Sequence, residues 1–126
     1  MANVFKACHR YARITPRKAR YVMDMVRNMR VEQALDTLRF NHRRAAPMIA
    51  KVIHSAMANA VQEGGVQSET LVIARAWVDE GPTGKRFRPR ARGMAYPILK
   101  RTSHLNIEVV EQPADKRAKK AARAQD

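Results

Sequence analysis

The 126 residues carry 25 Lys and Arg against 11 Asp and Glu, a formal net charge of +14, and 45% of them are hydrophobic. The single cysteine, Cys8, excludes an internal disulfide and a Cys-based zinc site, and no stretch approaches the ~20 apolar residues of a membrane span. A chain this cationic repels itself unless phosphates or counterions neutralise it, so a polyanion is the expected partner. A membrane is not expected, because no strongly amphipathic helix with a Lys/Arg-rich polar face occurs. The length fits one domain. The opening Met-Ala-Asn-Val-Phe-Lys lacks the apolar run of a signal peptide, and a lone thiol fits a reducing compartment.

Val4 to Arg13 reads as a strand, with Phe5, Ala7, His9 and Tyr11 alternating with Lys6, Cys8, Arg10 and Ala12. Lys6, His9, Arg10 and Arg13 make it basic, which also protects an edge strand from unwanted pairing. Ile14-Thr15-Pro16 starts a helix: Thr15 can cap the free amides and Pro16 suits the first helical position. Ala19, Val22, Met23, Val26 and Met29 give it one apolar face. Arg17, Lys18 and Arg20 crowd its first turn, where cations oppose the helix dipole, and such a cost points to an anion on the other side.

Val31 to Phe40 predicts a short second helix with a Val31, Ala34, Leu35, Leu38 stripe and an outer face of Glu32 and Asp36. Asn41 to Glu63 predicts the longest helix, capped by Asn41, with Ala45, Ile49, Val52, Ala56 and Ala60 on one face and Gly64-Gly65 as its stop. Its methionines read as core filler, and His42 and His54 lack the partners of a metal site.

Residues 79 to 104 dominate the second half. From Gly81 to Asn106 there is no Asp or Glu, yet Lys85, Arg86, Arg88, Arg90, Arg92, Lys100 and Arg101 fall there. Strand-like runs flank the segment, Leu71 to Val78 before it and His104 to Val110 after it. This predicts a long β-hairpin with a core-forming base and an outer part held by a polyanion, since an isolated ribbon is marginal in water. Two arms of about ten residues would project ~30 Å. Both faces of the first strand are partly apolar, which predicts a central position in a small sheet. Leu105, Ile107 and Val109 are the inward residues of the last strand. Gly81 and Gly84 read as a turn signal. Residues 113–126, rich in Ala, Lys and Arg, read as a disordered basic tail. The expected organisation is therefore one domain over residues 1–112, including the hairpin 79–104, and the tail.

No Ser/His/Asp motif, H-E-x-x-H or phosphate-cradling Gly loop occurs, so neither an enzyme nor a cofactor or metal site is expected. Phe87 and Tyr96 suit either stacking on unpaired bases or pairing with each other across the hairpin.

H-R-Y-A-R near the start, T-P-R-K-A-R opening the first helix, S-A-M-A-N-A closing the long helix, V-D-E-G-P before the hairpin, K-R-F-R-P-R-A-R-G at its tip and I-L-K-R-T-S-H on its return stand in order along residues 7 to 110. Together they resemble the bacterial large-subunit ribosomal protein family numbered twenty-two. The resemblance implies an α+β domain: three helices on a small three-stranded antiparallel sheet, with a long protruding basic hairpin. It implies a cytoplasmic protein of the ribosome that binds ribosomal RNA and aids subunit assembly, with neighbouring ribosomal proteins and the nascent polypeptide as partners and no homo-oligomer. Lys6, His9, Arg10, Arg13, Arg17, Lys18, Arg20, Lys85, Arg86, Arg88, Arg90, Arg92, Lys100, Arg101 and His104 are the expected RNA contacts. The tip Lys85, Arg86, Phe87, Arg88, Pro89, Arg90, Ala91, Arg92 and Gly93 is expected to line the polypeptide exit tunnel. The rival is a DNA-bending protein with basic β-arms; charge on the N-terminal strand and first helix, outside any single cleft, argues against it.

Overall fold

The computed structural model describes residues 3–112; the basic segment 113–126, expected to be a tail, lies outside them. Five strands and three α-helices follow in the order β1 (Val4–Ala12), α1 (Pro16–Val26), α2 (Val31–Arg39), α3 (Ala45–Gly64), β2 (Leu71–Glu80), β3 (Gly84–Pro89), β4 (Ala95–Lys100) and β5 (Ser103–Glu111). The α+β expectation holds. One antiparallel sheet has the order β1-β5-β2, and β3 pairs with β4 in a separate two-stranded ribbon.

The central strand is β5, not β2. Its inward residues Leu105, Ile107 and Val109 are fully buried, as the alternation predicts. The apolar character on both faces of β2 has another cause. The register shifts between Ile73 and Arg75, so Leu71 and Ile73 face the core before the irregularity and Ala76 and Val78 face it after. A register shift between His9 and Ala12, where Tyr11 has φ 59°, does the same in β1: Phe5 is buried early, Ala12 late, and Tyr11 turns outward.

The helices lie on one face of the sheet, α1 against β2 and β5, α3 against β1 and β5, and α2 against α3. Ala19, Val22, Met23 and Val26 of α1 meet Ile49, Val52, Ile53 and Ala56 of α3 in one core. The free edge of β2 is closed by other means. Asn28 donates its amide to the Ile73 carbonyl (3.2 Å) and the Ile73 amide donates to Met29 (2.9 Å). The guanidinium groups of Arg27 and Arg20 donate to the carbonyls of Ala76 (2.9 Å) and Val78 (3.1 Å). An edge covered in this way offers no ladder to another chain.

Capping hydrogen bonds, more than helix boundaries, depart from expectation. Thr15 stands at the N-cap of α1 with Pro16 following, but its hydroxyl makes no cap hydrogen bond. Asn41 does not cap α3. Its Oδ1 accepts from the Arg43 amide (2.8 Å) one turn before the helix, which begins after Arg44. Gly65, with φ 60°, ends α3 as expected.

Ser103 ties the sheet to the β1–α1 corner. It is completely buried, and its hydroxyl donates to the Ile14 carbonyl at 2.6 Å. Ser103→Ala leaves that carbonyl unsatisfied and should lower stability by about 1–3 kcal/mol. Urea denaturation of the free protein measures this; an unchanged midpoint would mean that water takes the place of the hydroxyl.

Candidate nucleic-acid interface

Like charge is concentrated where the chain makes least use of apolar packing. β3 and β4 pair from Gly84↔Lys100 to Pro89↔Ala95, and all their residues are exposed except half-buried Ile98. The six paired positions make ~20 Å of ladder, and with the root residues 81–83 and the apex 90–94 about ten residues of each arm lie outside the main sheet, which ends at the Glu80–Ser103 pair. The apex is Arg90 to Met94, closed by the Arg90 amide donating to the Met94 carbonyl (2.6 Å), with Arg92 and Gly93 left-handed at φ 63° and 69°. Lys85 to Pro89 therefore belong to a strand, and the turn is not at Gly81 and Gly84.

Cross-strand partners share a face of a ribbon and alternate residues change face. Lys85, Phe87 and Pro89 stand with Leu99, Pro97 and Ala95 on one side; Arg86 and Arg88 stand with Ile98, Tyr96 and Lys100 on the other. The first side is largely apolar and the second largely cationic. Phe87 (74% exposed) and Tyr96 (50% exposed) are consequently on opposite faces and form no aromatic pair. Each ring is available to a partner.

Gly81, Pro82 and Thr102 form the root. The Gly81 amide donates to the Thr102 carbonyl (2.9 Å), and the Thr102 hydroxyl donates to the Pro82 carbonyl (2.6 Å). A Cβ on Gly81 would stand 2.5 Å from Thr102 Oγ1, so a larger residue there would have to displace the hydroxyl that bonds Pro82. Two residues on, His104 Nδ1 accepts the Tyr11 amide (3.1 Å) and its ring meets Tyr11 edge to face at 5.1 Å. Asp79 accepts from Trp77 Nε1 (3.1 Å) and Asn106 Nδ2 (3.2 Å). The segments V-D-E-G-P and K-R-T-S-H thus meet as a clamp that fixes where the ribbon leaves the body.

The remaining expected contacts separate into distinct places. Lys6 and Arg10 project from the sheet face that no helix covers, where Lys6 reaches Glu108 (3.4 Å), a residue only 7% exposed. His9 lies on the opposite, helix-covered side of β1 and is half-buried. Arg13, Arg17 and Lys18 are exposed at the β1–α1 corner, and Arg101 is exposed at the ribbon root. Arg20 is partly committed to the edge of β2. Among the described residues only Lys6 and Arg27 have a carboxylate partner within 4.0 Å.

Sequence reasoning passed over Arg43, whose guanidinium lies 5.7 Å from the Tyr21 ring centroid, and Arg75, which lies 5.5 Å from that of Trp77. The Arg43-Arg44 pair before the Ala-rich helix was the available signal. No group of three His, Cys, Asp or Glu able to hold a metal occurs among the described residues, and none of the described helices is long and apolar enough to cross a membrane.

The family model for Ribosomal protein L22p/L17e matches residues 7–110, spanning β1 through β5 and the whole ribbon. The chain belongs to this family. It is a structural protein of the large ribosomal subunit, and as a family member it associates with ribosomal RNA and other ribosomal proteins. The L22p/L17e match includes the root clamp and the ribbon.

Proposed function

We propose that this chain binds ribosomal RNA through its N-terminal cations and its ribbon, aids assembly of the large subunit, and extends the ribbon to line the polypeptide exit tunnel. The observation that carries this reading is the two-faced ribbon. It has a cationic face, a largely apolar face, no acidic residue and, among the described residues, no second layer to pack on. A two-stranded ribbon of this composition is marginal alone. RNA phosphates supply what Arg86, Arg88 and Lys100 lack, with the forked guanidinium matching phosphate oxygens. Contact is mainly to backbone and shape, because side chains do not read the deep major groove of A-form RNA.

In this reading residues 1–112 form one domain, the chain acts as a single copy within the cytoplasmic ribosome, and the nascent polypeptide passes Lys85 to Gly93. No catalytic role is assigned to any residue.

Excision of the ribbon tests the division of labour. Glu80 and Ser103 are paired across β2 and β5, so an Asn-Gly turn can join them directly. The excised form should melt within about 2 °C of the full chain, since exposed loop residues contribute little buried surface, and should still enter large subunits. Cross-links from a stalled nascent chain to residues 85–94 should form with the full chain. Their absence would overturn the tunnel reading; exclusion of the folded, excised form from subunits would show that the ribbon, not the body, carries docking.

A further inference from the structure

A second surface, away from the ribbon, combines exposed aromatic rings with free cations. On α1, Lys18, Tyr21 and Met25 follow at three- and four-residue spacing and share one side of the helix. The α2–α3 connection reaches that side. Arg43 lies over the Tyr21 ring at 5.7 Å, and Asn41 Nδ2 contacts Met25 Sδ at 3.4 Å. Beside them Phe40, 76% exposed, closes α2, and Tyr21 is itself 52% exposed.

Burial of such rings against a partner is favourable, and the occupant must tolerate cations. Neither Arg43 nor Lys18 has a carboxylate within 4.0 Å among the described residues. The one acidic group on the exposed side of α1, Asp24, is bound by Arg27 at 2.6 Å. Arg27 in turn bonds to the β2 edge, on the other flank of the helix. The corner is therefore positive as well as aromatic. A nucleic-acid strand meets both demands: bases stack on rings irrespective of sequence, and phosphates take the guanidinium and ammonium groups. A duplex meets only the second, because its bases are already stacked.

We infer that the corner formed by α1 and the α2–α3 connection is a base-stacking site for unpaired nucleotides of ribosomal RNA, with Tyr21 and Phe40 as platforms and Arg43 and Lys18 as phosphate contacts. The inference rests on the RNA-binding reading above and adds a site, and a mode of contact, separate from the ribbon.

The test titrates the full-length protein onto protein-free large-subunit RNA. Tyr21→Leu and Phe40→Leu keep an apolar side chain at exposed positions and remove the ring. Each should weaken binding on the order of 5- to 100-fold, with the salt slope unchanged because no charge is lost. Arg43→Gln should instead lower the slope by about 0.7. Affinities of both ring variants within about twofold of the parent overturn the site, and the RNA-binding reading survives if Arg86→Gln with Arg88→Gln still weakens binding. Failure of the parent protein to bind the RNA overturns both. In intact subunits a benzophenone side chain at position 40 should capture RNA; capture of a neighbouring protein alone would make the corner a protein-docking surface and overturn the assignment.

Discussion

The triple variant Arg86→Gln, Arg88→Gln, Lys100→Gln is expected to bind large-subunit RNA with a log–log salt slope reduced by about 2–3, close to one phosphate per residue. All three lie on the cationic face of the ribbon, spaced along ~13 Å of it at ~3.3 Å per residue. The loss should be largest at low salt, where counterion release contributes most, and should shrink as salt is raised. Phe87→Ser with Leu99→Ser, on the opposite face, is the matched control and should leave the slope unchanged. Affinity measured at several salt concentrations decides the matter. Equal slopes for the triple variant and the parent would remove the cationic face from the RNA interface. Equal losses for both faces would show that the ribbon is held by its edges or backbone.

In the body the largest effect belongs to Ile107. This residue is fully buried in the central strand, opposite Ala7 on β1 and Ala76 on β2. Its two cross-strand neighbours are small, so little can move in to fill the space. Ile107→Ala should lower stability by about 2–5 kcal/mol, a large part of the ~5–15 kcal/mol typical of a domain. Val110→Ala, on the half-exposed position of the same strand, should fall within about 1 kcal/mol of the parent. Urea denaturation of the free protein distinguishes them. Similar midpoints for both variants would mean that α3 closes onto the sheet when Ile107 is shortened.

Much of this architecture is written in local patterns. The apolar periodicity of Ala19, Val22, Met23 and Val26, the Gly64-Gly65 stop and the alternation of Leu105, Ile107 and Val109 depend only on neighbours in the chain, and they read correctly. The misplaced features depend on partners distant in sequence. β2 looked central because a register irregularity after Ile73 exchanges its faces, and no residue near Ala74 announces it. Asn41 is a fit cap by type, yet its side chain serves a tight turn one step early. Among the candidate contacts, the absence of acid from Gly81 to Asn106 drew attention to the ribbon. Its two faces required the register of β3 against β4. Arg20 and Arg27 show the limit of counting charges, since a guanidinium that satisfies edge carbonyls has the same letter as one that meets phosphate.

The placement of β5 has a consequence for how the protein is made. The strand that joins β1 to β2 is the last of the described elements to be synthesised. Until residues 103–111 have left the ribosome, β1 and β2 have no strand partner, and α1 and α3 have no completed sheet on which to pack. Pairings such as Val4 with Val110 are among the most distant the chain offers, and contacts so remote in sequence form slowly. The emerging chain therefore spends nearly its whole synthesis with unpaired strands, a state prone to association. Its abundance of like charge protects it then, keeping copies apart in the interval before folding.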